Sequence, residues 1–568
     1  MTDNPQTDVL IIGGGPVGLL IGYSLARQGV GTIVVEQHEK VQQPMYGRAC
    51  TLHPRTLEML DQLDLLDDLN QIGYICRNSV TWKDGKRITS RGWHLMFDRM
   101  DGTFMDYCLN LRQRYSEDVI REAYIHAGGQ LHMGWKLEDF SLYLSQNTDF
   151  KVTGTICRVG ADNERVTINS QFIIGADGGH STVRKLAGIQ AQGDRTSFKL
   201  IRIDGEFKTN MPDDDVGFAS IESKSHGNVL WAQLDHGVKR IGFAATPEML
   251  ARYGGSLTEE QAVAEAVKAI EPFTLEIEKV EWWTLYNVNQ QLADTYLANE
   301  RVLLAGDACH IHSSAGAQGM NTGVHDAVNL AWKLNGVIKG WYKPEALQTY
   351  EDERRTAAQY LIKLDKTISA TVFGTVPEEH KGLSLDANEL WTKITSDSML
   401  FNIGLGVSYQ ENLFNKYPLT GMISAGHRAP DSLLMAPGSR VPARLYQFTK
   451  NTGQWPILVF AGQPAVTKEK LTLAVVGLLK LQSTLPKGMV RFLTLIAGSF
   501  GGGNSLFGTP RIGRFYFDPE YSAHGRYAIS TTQGAVVVLR PDGILGYATT
   551  LDDTTSIGAF FAGFIRSS

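Results

Sequence analysis

Cysteine is scarce in this sequence, and its arrangement argues against two common structural devices. The chain has 568 residues but only five cysteines: Cys50, Cys76, Cys108, Cys157 and Cys309. Their number is odd and none forms a C-x-x-C pair, so we expect neither a disulfide framework nor a zinc site. Reduced, partly buried thiols are typical of a reducing compartment, and we therefore expect a cytoplasmic protein.

The sequence also lacks a strong charge imbalance and a long apolar run. Its 54 basic and 60 acidic residues give a net charge of −6, and no basic stripe suggests a nucleic-acid partner. The apolar stretches at 9–20 and 471–481 are too short to cross a bilayer. Residues 1–8 contain no basic segment of the kind that begins a signal peptide. We predict a soluble protein of two or three domains without a membrane span.

A glycine-rich turn near the N-terminus carries the first functional signal. The turn Gly13-x-Gly15-Pro16-x-Gly18 follows an apolar strand and opens a helix. Glycines allow the chain to turn tightly and to approach a pyrophosphate, whose charge would lie at the helix N-terminus. Glu36 ends the next strand, 18 residues beyond Gly18, where a carboxylate can bind ribose hydroxyls. The pattern predicts a dinucleotide-binding βαβ unit.

Two later loops also follow apolar strands. The first contains Asp177 and Arg184, and the second contains Gly306-Asp307 and then the small-residue stretch 316–323. Small side chains allow close backbone approach to a planar ligand, and the following helix would direct its N-terminus at that ligand. His310 and His312 lie in the second loop, but no third ligand is in view, so we predict no metal site.

These three segments, in this order, resemble the class A flavoprotein monooxygenases, the FAD-dependent aromatic hydroxylases that include para-hydroxybenzoate hydroxylase and phenol hydroxylase. The resemblance covers about the first 360 residues. The first segment is similar to the family's FAD pyrophosphate motif, and the Asp177 segment to its motif shared between FAD and nicotinamide contacts. The Gly306-Asp307 segment is similar to the second FAD motif, in which the carboxylate meets the ribityl chain.

The resemblance also implies individual site residues. Gly47-Arg48-Ala49 and the following His53 match the family's arginine loop near the flavin, which implies catalytic roles for Arg48 and His53. Gln113 matches its FAD-contacting glutamine segment. The implied cofactor-binding residues are Gly13, Gly15, Pro16, Gly18, Glu36, Arg48, Gln113, Asp177, Arg184, Gly306, Asp307, Gly316, Gln318, Gly319, Met320 and Asn321.

The expected fold class is α/β with three domains. A Rossmann-like FAD-binding domain would comprise residues 1–76, 103–190 and 287–380, and an inserted, mostly antiparallel β substrate domain would comprise 77–102 and 191–286. Residues 420–568 are similar to the thioredoxin-like C-terminal domain of the larger members. No cysteine follows Cys309, so this domain would carry no thiol chemistry.

The family mechanism implies a small aromatic, phenolic substrate and molecular oxygen. FAD would be reduced by NADH or NADPH, and a C4a-hydroperoxyflavin would transfer one oxygen atom to an electron-rich ring within a dry pocket. The same resemblance implies a homodimer. Two alternatives stay open: a Baeyer–Villiger or epoxidising monooxygenase on this scaffold, and a flavin-binding protein without turnover.

Two further features bear on the pocket. The chain has Ser313-Ser314-Ala315 where relatives often carry a proline, and Ala317-Gln318-Gly319 where they read G-Q-G. The sequence does not identify the base that would activate a substrate hydroxyl.

In the middle domain we predict that the aromatic residues serve core packing rather than ring stacking; these residues are Trp231, Trp282, Trp283 and Tyr286.

Overall fold

The computed structural model describes residues 4–43, 45–145, 148–314, 316–416, 423–498 and 512–566. Within this part of the chain the strands form three large sheets and one small sheet, the latter made of Thr51–Leu52, Tyr74–Cys76 and Cys108–Asn110. Helices cover the large sheets, so the predicted α/β fold class is confirmed. None of the helices in the described ranges is long and apolar enough to cross a membrane.

The first sheet has eight strands around a parallel centre. The parallel strands are Gln6–Ile12, Thr32–Glu36, Gln130–Met133, Ala161–Gly175 and Val302–Leu304, and antiparallel strands extend the sheet at Trp135–Leu142, Val152–Arg158 and Leu297–Ala298. Val9, Leu10 and Ile11 are fully buried, which explains their continuous apolar run. Ile12 pairs with Gly175, which pairs with Leu304, so the loops that follow these three strands meet at one sheet edge.

Helices pack on this sheet and lead away from its carboxyl edge. The helices of this part are Pro16–Ala26, Pro54–Gln62, Leu66–Ile72, Gln113–His126, Thr182–Leu186, Gln318–Ile338 and Gln348–Val372, whereas the short helix His94–Phe97 packs against the second sheet. The leucine repeat between Arg55 and Leu69 predicts one helix, and that prediction is wrong. The helix ends after Gln62, Asp64 adopts a φ of +60°, and a new helix begins at Leu66.

The second sheet has eight strands and is antiparallel except at one pair. In spatial order they are His310–Ile311, Leu275–Ala293, Ala191–Thr209, Lys239–Ala245, Gly227–Gln233, Gly217–Ser223, Asn78–Lys83 and Lys86–Ile88. The parallel pair joins Gly217–Ser223 to Asn78–Lys83. Ile201 and Ile203 share a core with Ala262 of the helix Glu259–Ala269. Residues 200, 202 and 204 alternate with them and therefore lie on the opposite face.

The third sheet lies in the C-terminal part of the chain. Its strands, in spatial order, are Pro442–Arg444, Leu433–Met435, Arg514–Asp518, Val490–Ala497, Trp455–Gly462, Ala535–Leu539 and Leu545–Thr549. The accompanying helices are Leu445–Phe448, Pro464–Thr484, Ser522–Arg526 and Thr555–Ala562, and Ala387–Asp397 and Met399–Asn402 lie in the connection before this sheet. The second sheet also takes in residues 287–293 and the strand His310–Ile311, which the sequence assigns to the FAD-binding domain, and the three domain boundaries stay a prediction.

A buried ion network joins the third sheet to the helices of the first part, and we call it the seam. Its members are Lys333, Glu353, Arg540 and Asp542, whose side chains are at most 2% exposed. Arg540 donates to both Glu353 oxygens at 2.7 and 3.0 Å and to Asp542 at 2.6 Å, while Lys333 donates to Glu353 at 2.8 Å. Burial lowers the pKa of Lys333 to about 8, although the Glu353 carboxylate opposes this shift. Every charge in the seam therefore has a protein partner of opposite sign.

Candidate cofactor and substrate site

A single cavity of about 1370 Å³ runs from the carboxyl edge of the first sheet to the inner face of the second sheet. At one end it is bordered by Gly15 and Glu36, and at the other by Phe218 and Leu230. The cavity therefore connects the loops that the sequence identifies as cofactor-binding with the sheet that it identifies as substrate-binding.

The glycine turn has one open position. A Cβ atom on Gly13 would lie 2.2 Å from the carbonyl oxygen of Ala176, and one on Gly18 would lie 2.0 Å from that of Gly13. Protein backbone thus explains these two glycines. A Cβ atom on Gly15 would meet only the Lys40 Nζ, at 4.0 Å, and Gly15 precedes Pro16 at the start of the helix. The open side of Gly15 faces the cavity, where a phosphate could approach the free N–H groups of the helix.

Glu36 is held in place by the backbone. Its Oε2 accepts from the Gly14 N–H at 2.8 Å, and its Oε1 accepts from the His38 N–H at 2.9 Å. The side chain is buried, yet it borders the cavity at the end of its strand. A carboxylate has about four acceptor positions, so further positions remain for ligand hydroxyls.

Asp177 and Arg184 connect the second loop to its surroundings. Asp177 accepts from the Ser181 hydroxyl at 2.5 Å and from the Thr182 N–H at 2.6 Å, and burial raises the pKa of its carboxyl. Arg184 donates to the carbonyl oxygens of Ala308 at 2.7 Å and Gly179 at 2.8 Å. Both side chains border the cavity, but these hydrogen bonds first serve to fix the loop.

Asp307 borders the cavity at the end of the loop that follows the strand Val302–Leu304. Gly306 before it has a φ of +62° and donates its N–H to Asp326. Asp326 also accepts from His310 at 2.8 Å, and although burial alone would raise the pKa of Asp326, Arg354 and His310 hold it at about 2. By contrast, Asp307 is exposed, and no residue that the structure describes pairs with its carboxylate.

The start of the helix Gln318–Ile338 forms another wall. Ala317 adopts a φ of +53° at the N-cap, a left-handed conformation that is costly for a residue with a side chain. Gly316, Gly319 and Met320 line the cavity. The Gln318 amide instead donates to the Asn402 carbonyl, away from the cavity.

The arginine loop is joined to this helix. Asn321 accepts from the His53 N–H at 2.9 Å and donates to the Thr51 and Ala317 carbonyl oxygens. The His53 Nε2 lies 3.2 Å from the Gly316 oxygen, and burial lowers the pKa of His53 to about 4. Its ring is therefore neutral at neutral pH, and its contacts are those of a positioning residue.

Arg48 lies on the cavity side of the same loop. It is exposed, and its guanidinium lies 4.9 Å from the centre of the Tyr286 ring. Gly47 has a φ of +85°, and a Cβ atom there would meet the Gln113 side chain at 2.5 Å. Gln113 also borders the cavity and donates to Glu117 at 2.7 Å. The structure therefore brings Arg48, His53 and Gln113 together at one part of the cavity wall.

The serines that depart from the family pattern are well anchored. Ser313 donates its N–H and its hydroxyl to Asp365, at 2.8 and 2.5 Å. Ser314 forms a short hydrogen bond with the Tyr286 hydroxyl. Ala315 lies outside the described residues. Hydrogen bonds of the Ser313 backbone and of both serine hydroxyls thus hold this loop.

The sequence did not reveal which side chains of the second sheet face the cavity. Trp231 is fully buried and packs against Phe207, as expected for a core residue. Tyr286 differs from the expectation because it lines the cavity as well as packing on the sheet. Sequence reasoning missed Arg202 and Arg240, which also line the cavity, because the sheet register that selects their face involves distant strands. Among the described residues, no group of three His, Cys, Asp or Glu could hold a metal ion.

The arrangement fits a dinucleotide that carries a flat ring system. A Cβ atom on Gly319 would meet no described protein atom within 4 Å, and one on Gly15 would meet only the Lys40 Nζ at 4.0 Å. The Asp307 carboxylate borders the same cavity without a hydrogen-bond or ion-pair partner among the described residues. A Rossmann-type site combines loops at neighbouring strand ends, a helix N-terminus and an acidic residue placed to bind ribose hydroxyls, and all of these are present here. Fold and site together define a dinucleotide-binding protein with an added β-sheet over its cavity.

Comparison with known proteins identifies the family. The FAD binding domain family matches residues 6–365, well over half of the chain, and the chain belongs to this family. The family described as phenol hydroxylase, C-terminal dimerisation domain, matches residues 510–568. FAD is therefore the cofactor, the protein is an FAD-dependent monooxygenase, and the resemblance to class A flavoprotein monooxygenases is confirmed.

Individual relatives can be aligned with almost the whole chain. The 3-hydroxybenzoate 4-monooxygenase of Comamonas testosteroni is 27% identical, with 99% of this chain and 95% of that protein covered. A phenol 2-monooxygenase of Aspergillus fumigatus is also 27% identical, with 98% and 96% covered. Among solved structures, aklavinone-11 hydroxylase with FAD and aklavinone has a TM-score of 0.72 at 22% identity, with 99% of each chain covered. The flavin-dependent monooxygenase PieE, with FAD and substrate, has a TM-score of 0.74 at 20% identity and the same coverage. These structural likenesses concern the fold.

Proposed function

We propose that this enzyme hydroxylates a phenolic aromatic compound, with NADH or NADPH as reductant and molecular oxygen as the source of the inserted atom. The observation that carries the proposal is the continuous cavity, which joins the FAD-type strand ends to a sheet face bearing aromatic and cationic side chains. Relatives named for 3-hydroxybenzoate and phenol support an aromatic substrate.

The proposed cofactor contacts follow the cavity wall. FAD supplies hydride acceptance and oxygen activation when bound. The open backbone at Gly15, with the helix that begins at Pro16, would bind the pyrophosphate, and Glu36 would bind ribose hydroxyls. Asp307 would accept from the ribityl hydroxyls. The segment Gly316–Met320 would lie against the flavin ring, and Gln318 and Asn321 would support that segment through their hydrogen bonds to Asn402 and His53.

The chain's own residues would orient the substrate and exclude water. Trp93, Met96, Phe218 and Leu230 give the far part of the cavity an apolar wall. Such a wall limits water access, which matters because water would promote loss of the activated oxygen as hydrogen peroxide before it reaches the ring. Burial lowers the pKa of His53 to about 4, which makes the ring a weak proton acceptor, and its Nε2 contacts a backbone carbonyl, so we assign it a positioning role beside Arg48.

The reductant and the assembly are part of the same proposal. The sequence has one G-x-G-x-x-G unit, which favours a nicotinamide that binds without a domain of its own. The match of residues 510–568 to a phenol hydroxylase dimerisation domain supports a homodimer formed through the C-terminal part.

The test uses purified protein with its bound flavin. Its visible spectrum is recorded first, and NADH and NADPH oxidation are then measured across a panel of phenols, with products identified by mass. We expect a yellow protein whose nicotinamide oxidation is stimulated by a phenol and whose product is one oxygen atom heavier. A yellow protein that ignores every phenol but oxygenates a ketone or an olefin would overturn the proposal.

A further inference from the structure

Arg202 is a buried arginine on the inner face of the second sheet. It is 7% exposed and lines the cavity. Its Nη1 donates to the carbonyl oxygen of the neighbouring Ile201 at 3.0 Å, and its Nη2 donates to the Ser314 hydroxyl at 3.3 Å. Ser314 also contacts the Tyr286 hydroxyl, so Arg202 lies on the same wall as Tyr286 and Arg48.

The sheet provides a dedicated space for this side chain. Gly242 is the direct cross-strand partner of Arg202. A Cβ atom on Gly242 would lie 2.5 Å from both the Cδ and the Nη1 of Arg202. Any larger residue at position 242 would therefore displace the guanidinium. The backbone of Gly242 does not have a positive φ, so its conformation does not require glycine, and the close approach of Arg202 does.

Within the described ranges, no acidic side chain neutralises the charge of Arg202. Among the residues that the structure describes, no carboxylate forms an ion pair with it, and its only hydrogen-bond acceptors are neutral. Arg240, on the same face, provides the contrast because Asp204 binds its Nε at 2.6 Å and its Nη2 at 2.8 Å. A buried charge without a partner is costly, which indicates that the missing anion comes with a ligand.

We propose that Arg202 binds a carboxylate group of the aromatic substrate and thereby selects aromatic acids over neutral phenols. This inference rests on the proposed hydroxylase function and names its substrate class. A guanidinium presents a planar fork of donors that matches a carboxylate. A simple phenol, with a pKa near 10 as in tyrosine, is neutral at pH 7, whereas a carboxylate is ionised. The position of Arg202, on the sheet face that carries Phe218 and Leu230, favours the substrate over the flavin as the source of the anion.

The test is equilibrium binding to the FAD-loaded enzyme, read from the change in flavin absorbance. The two probes are 3-hydroxybenzoate and 3-hydroxybenzamide, which have nearly the same shape and differ in charge. We expect the wild type to bind the benzoate roughly 10 to 100 times more tightly, the range of a charge-assisted hydrogen bond. Arg202→Gln should lose this factor for the benzoate and bind the benzamide as the wild type does.

Two further variants control for general damage to the cavity. Arg202→Lys keeps the charge without the planar fork, so part of the preference for the benzoate should return. Gly242→Ala leaves Arg202 itself unchanged but fills its space, and it should reduce the same preference. Bound FAD per protein is measured in each variant and should equal that of the wild type.

The outcomes separate this inference from the proposed function. Equal wild-type affinity for the two probes would overturn the role of Arg202, even if neutral phenols are hydroxylated. Loss of FAD in Arg202→Gln, with the preference retained after FAD is restored, would assign the arginine to the flavin and also overturn it. Benzoate binding that depends on Arg202 in an enzyme that hydroxylates nothing would support an anion site and contradict the hydroxylase proposal.

Discussion

The cavity and the seam both contain charged side chains, but those of the seam are paired with opposite charges, whereas two of those in the cavity are not. In the seam, Arg540 and Lys333 meet Glu353 at 2.7 to 3.0 Å, and all three are almost fully buried. In the cavity, Asp307 and Arg202 have no ionic partner among the described residues. The charges of the seam are satisfied within the protein, whereas those of Asp307 and Arg202 leave room for a ligand group as partner. A buried charge with a shifted pKa therefore does not by itself identify a functional site. A charge that lacks a protein partner is the more specific sign.

The comparison predicts its largest effect at Arg540. Replacing it by methionine leaves Glu353 buried with only Lys333 as a cationic partner, and we expect a loss of about 3–5 kcal/mol in the free energy of unfolding. The measurement is urea unfolding of the FAD-loaded enzyme. Arg87→Met is the control because its ion pair with Asp213 is exposed, and it should change stability by no more than about 0.5 kcal/mol. Equal effects of the two variants would remove the distinction between the seam and the surface.

At Asp307 the effect should fall on cofactor binding rather than on folding. Asp307→Ala removes a carboxylate that the described part of the protein does not use, so unfolding of the apoprotein should be unchanged. FAD affinity should fall roughly 10- to 100-fold, which gives pale or colourless protein. Asp307→Asn keeps one acceptor oxygen and should be intermediate. Full FAD occupancy in the alanine variant would refute the placement of this site.

His53 should give a pH dependence of stability. Burial lowers its pKa from 6.5 to about 4, so as pH falls below 6.5 the unfolded chain binds a proton before the folded chain does. The contribution of the neutral ring is complete above pH 6.5 and is lost as pH falls towards 4. At pH 5 the loss is about 2 kcal/mol, from roughly 1.4 kcal/mol per pKa unit. Urea unfolding at pH 7 and pH 5 should show this loss in the wild type and a smaller loss in His53→Gln; identical losses would exclude His53 as the cause.

The smallest effect is expected at Arg48. Arg48→Ala removes the contact with the Tyr286 ring, which is worth about 0.5–2 kcal/mol, and we expect flavin reduction to slow by up to roughly tenfold while FAD stays bound. Tyr286→Phe keeps the ring face and should have a weaker effect. Stopped-flow reduction by NADH or NADPH measures both variants. Unchanged kinetics in Arg48→Ala would remove this arginine from the reaction.

The sequence predicts the cofactor half of the site better than the substrate half, for a physical reason. Gly13, Gly15 and Glu36 lie within one βαβ unit, where local turns and strand ends fix their relative positions. Arg202 and Gly242 become neighbours only through the pairing of two strands that are far apart in sequence. No local sequence pattern distinguishes either residue, so only the strand register shows that Gly242 makes room for Arg202.

The error over residues 55–69 has a related cause. Leu57, Leu63 and Leu69 are all buried, so the apolar pattern continues across the turn at Asp64. The pattern records which side chains face the core, and it does not record where the backbone hydrogen bonds of a helix end. The seam was likewise invisible, because Glu353 and Arg540 are separated by nearly two hundred residues.

The most direct test of the central claim, that the cavity oxygenates an aromatic substrate with an atom from molecular oxygen, is isotope labelling. The FAD-loaded enzyme is supplied with NADPH or NADH, 3-hydroxybenzoate or a phenol that stimulates nicotinamide oxidation, and ¹⁸O₂ in unlabelled water. The account predicts a ring-hydroxylated product that carries one ¹⁸O atom. Unlabelled product, or nicotinamide oxidation that yields only hydrogen peroxide with every aromatic compound tested, would contradict it.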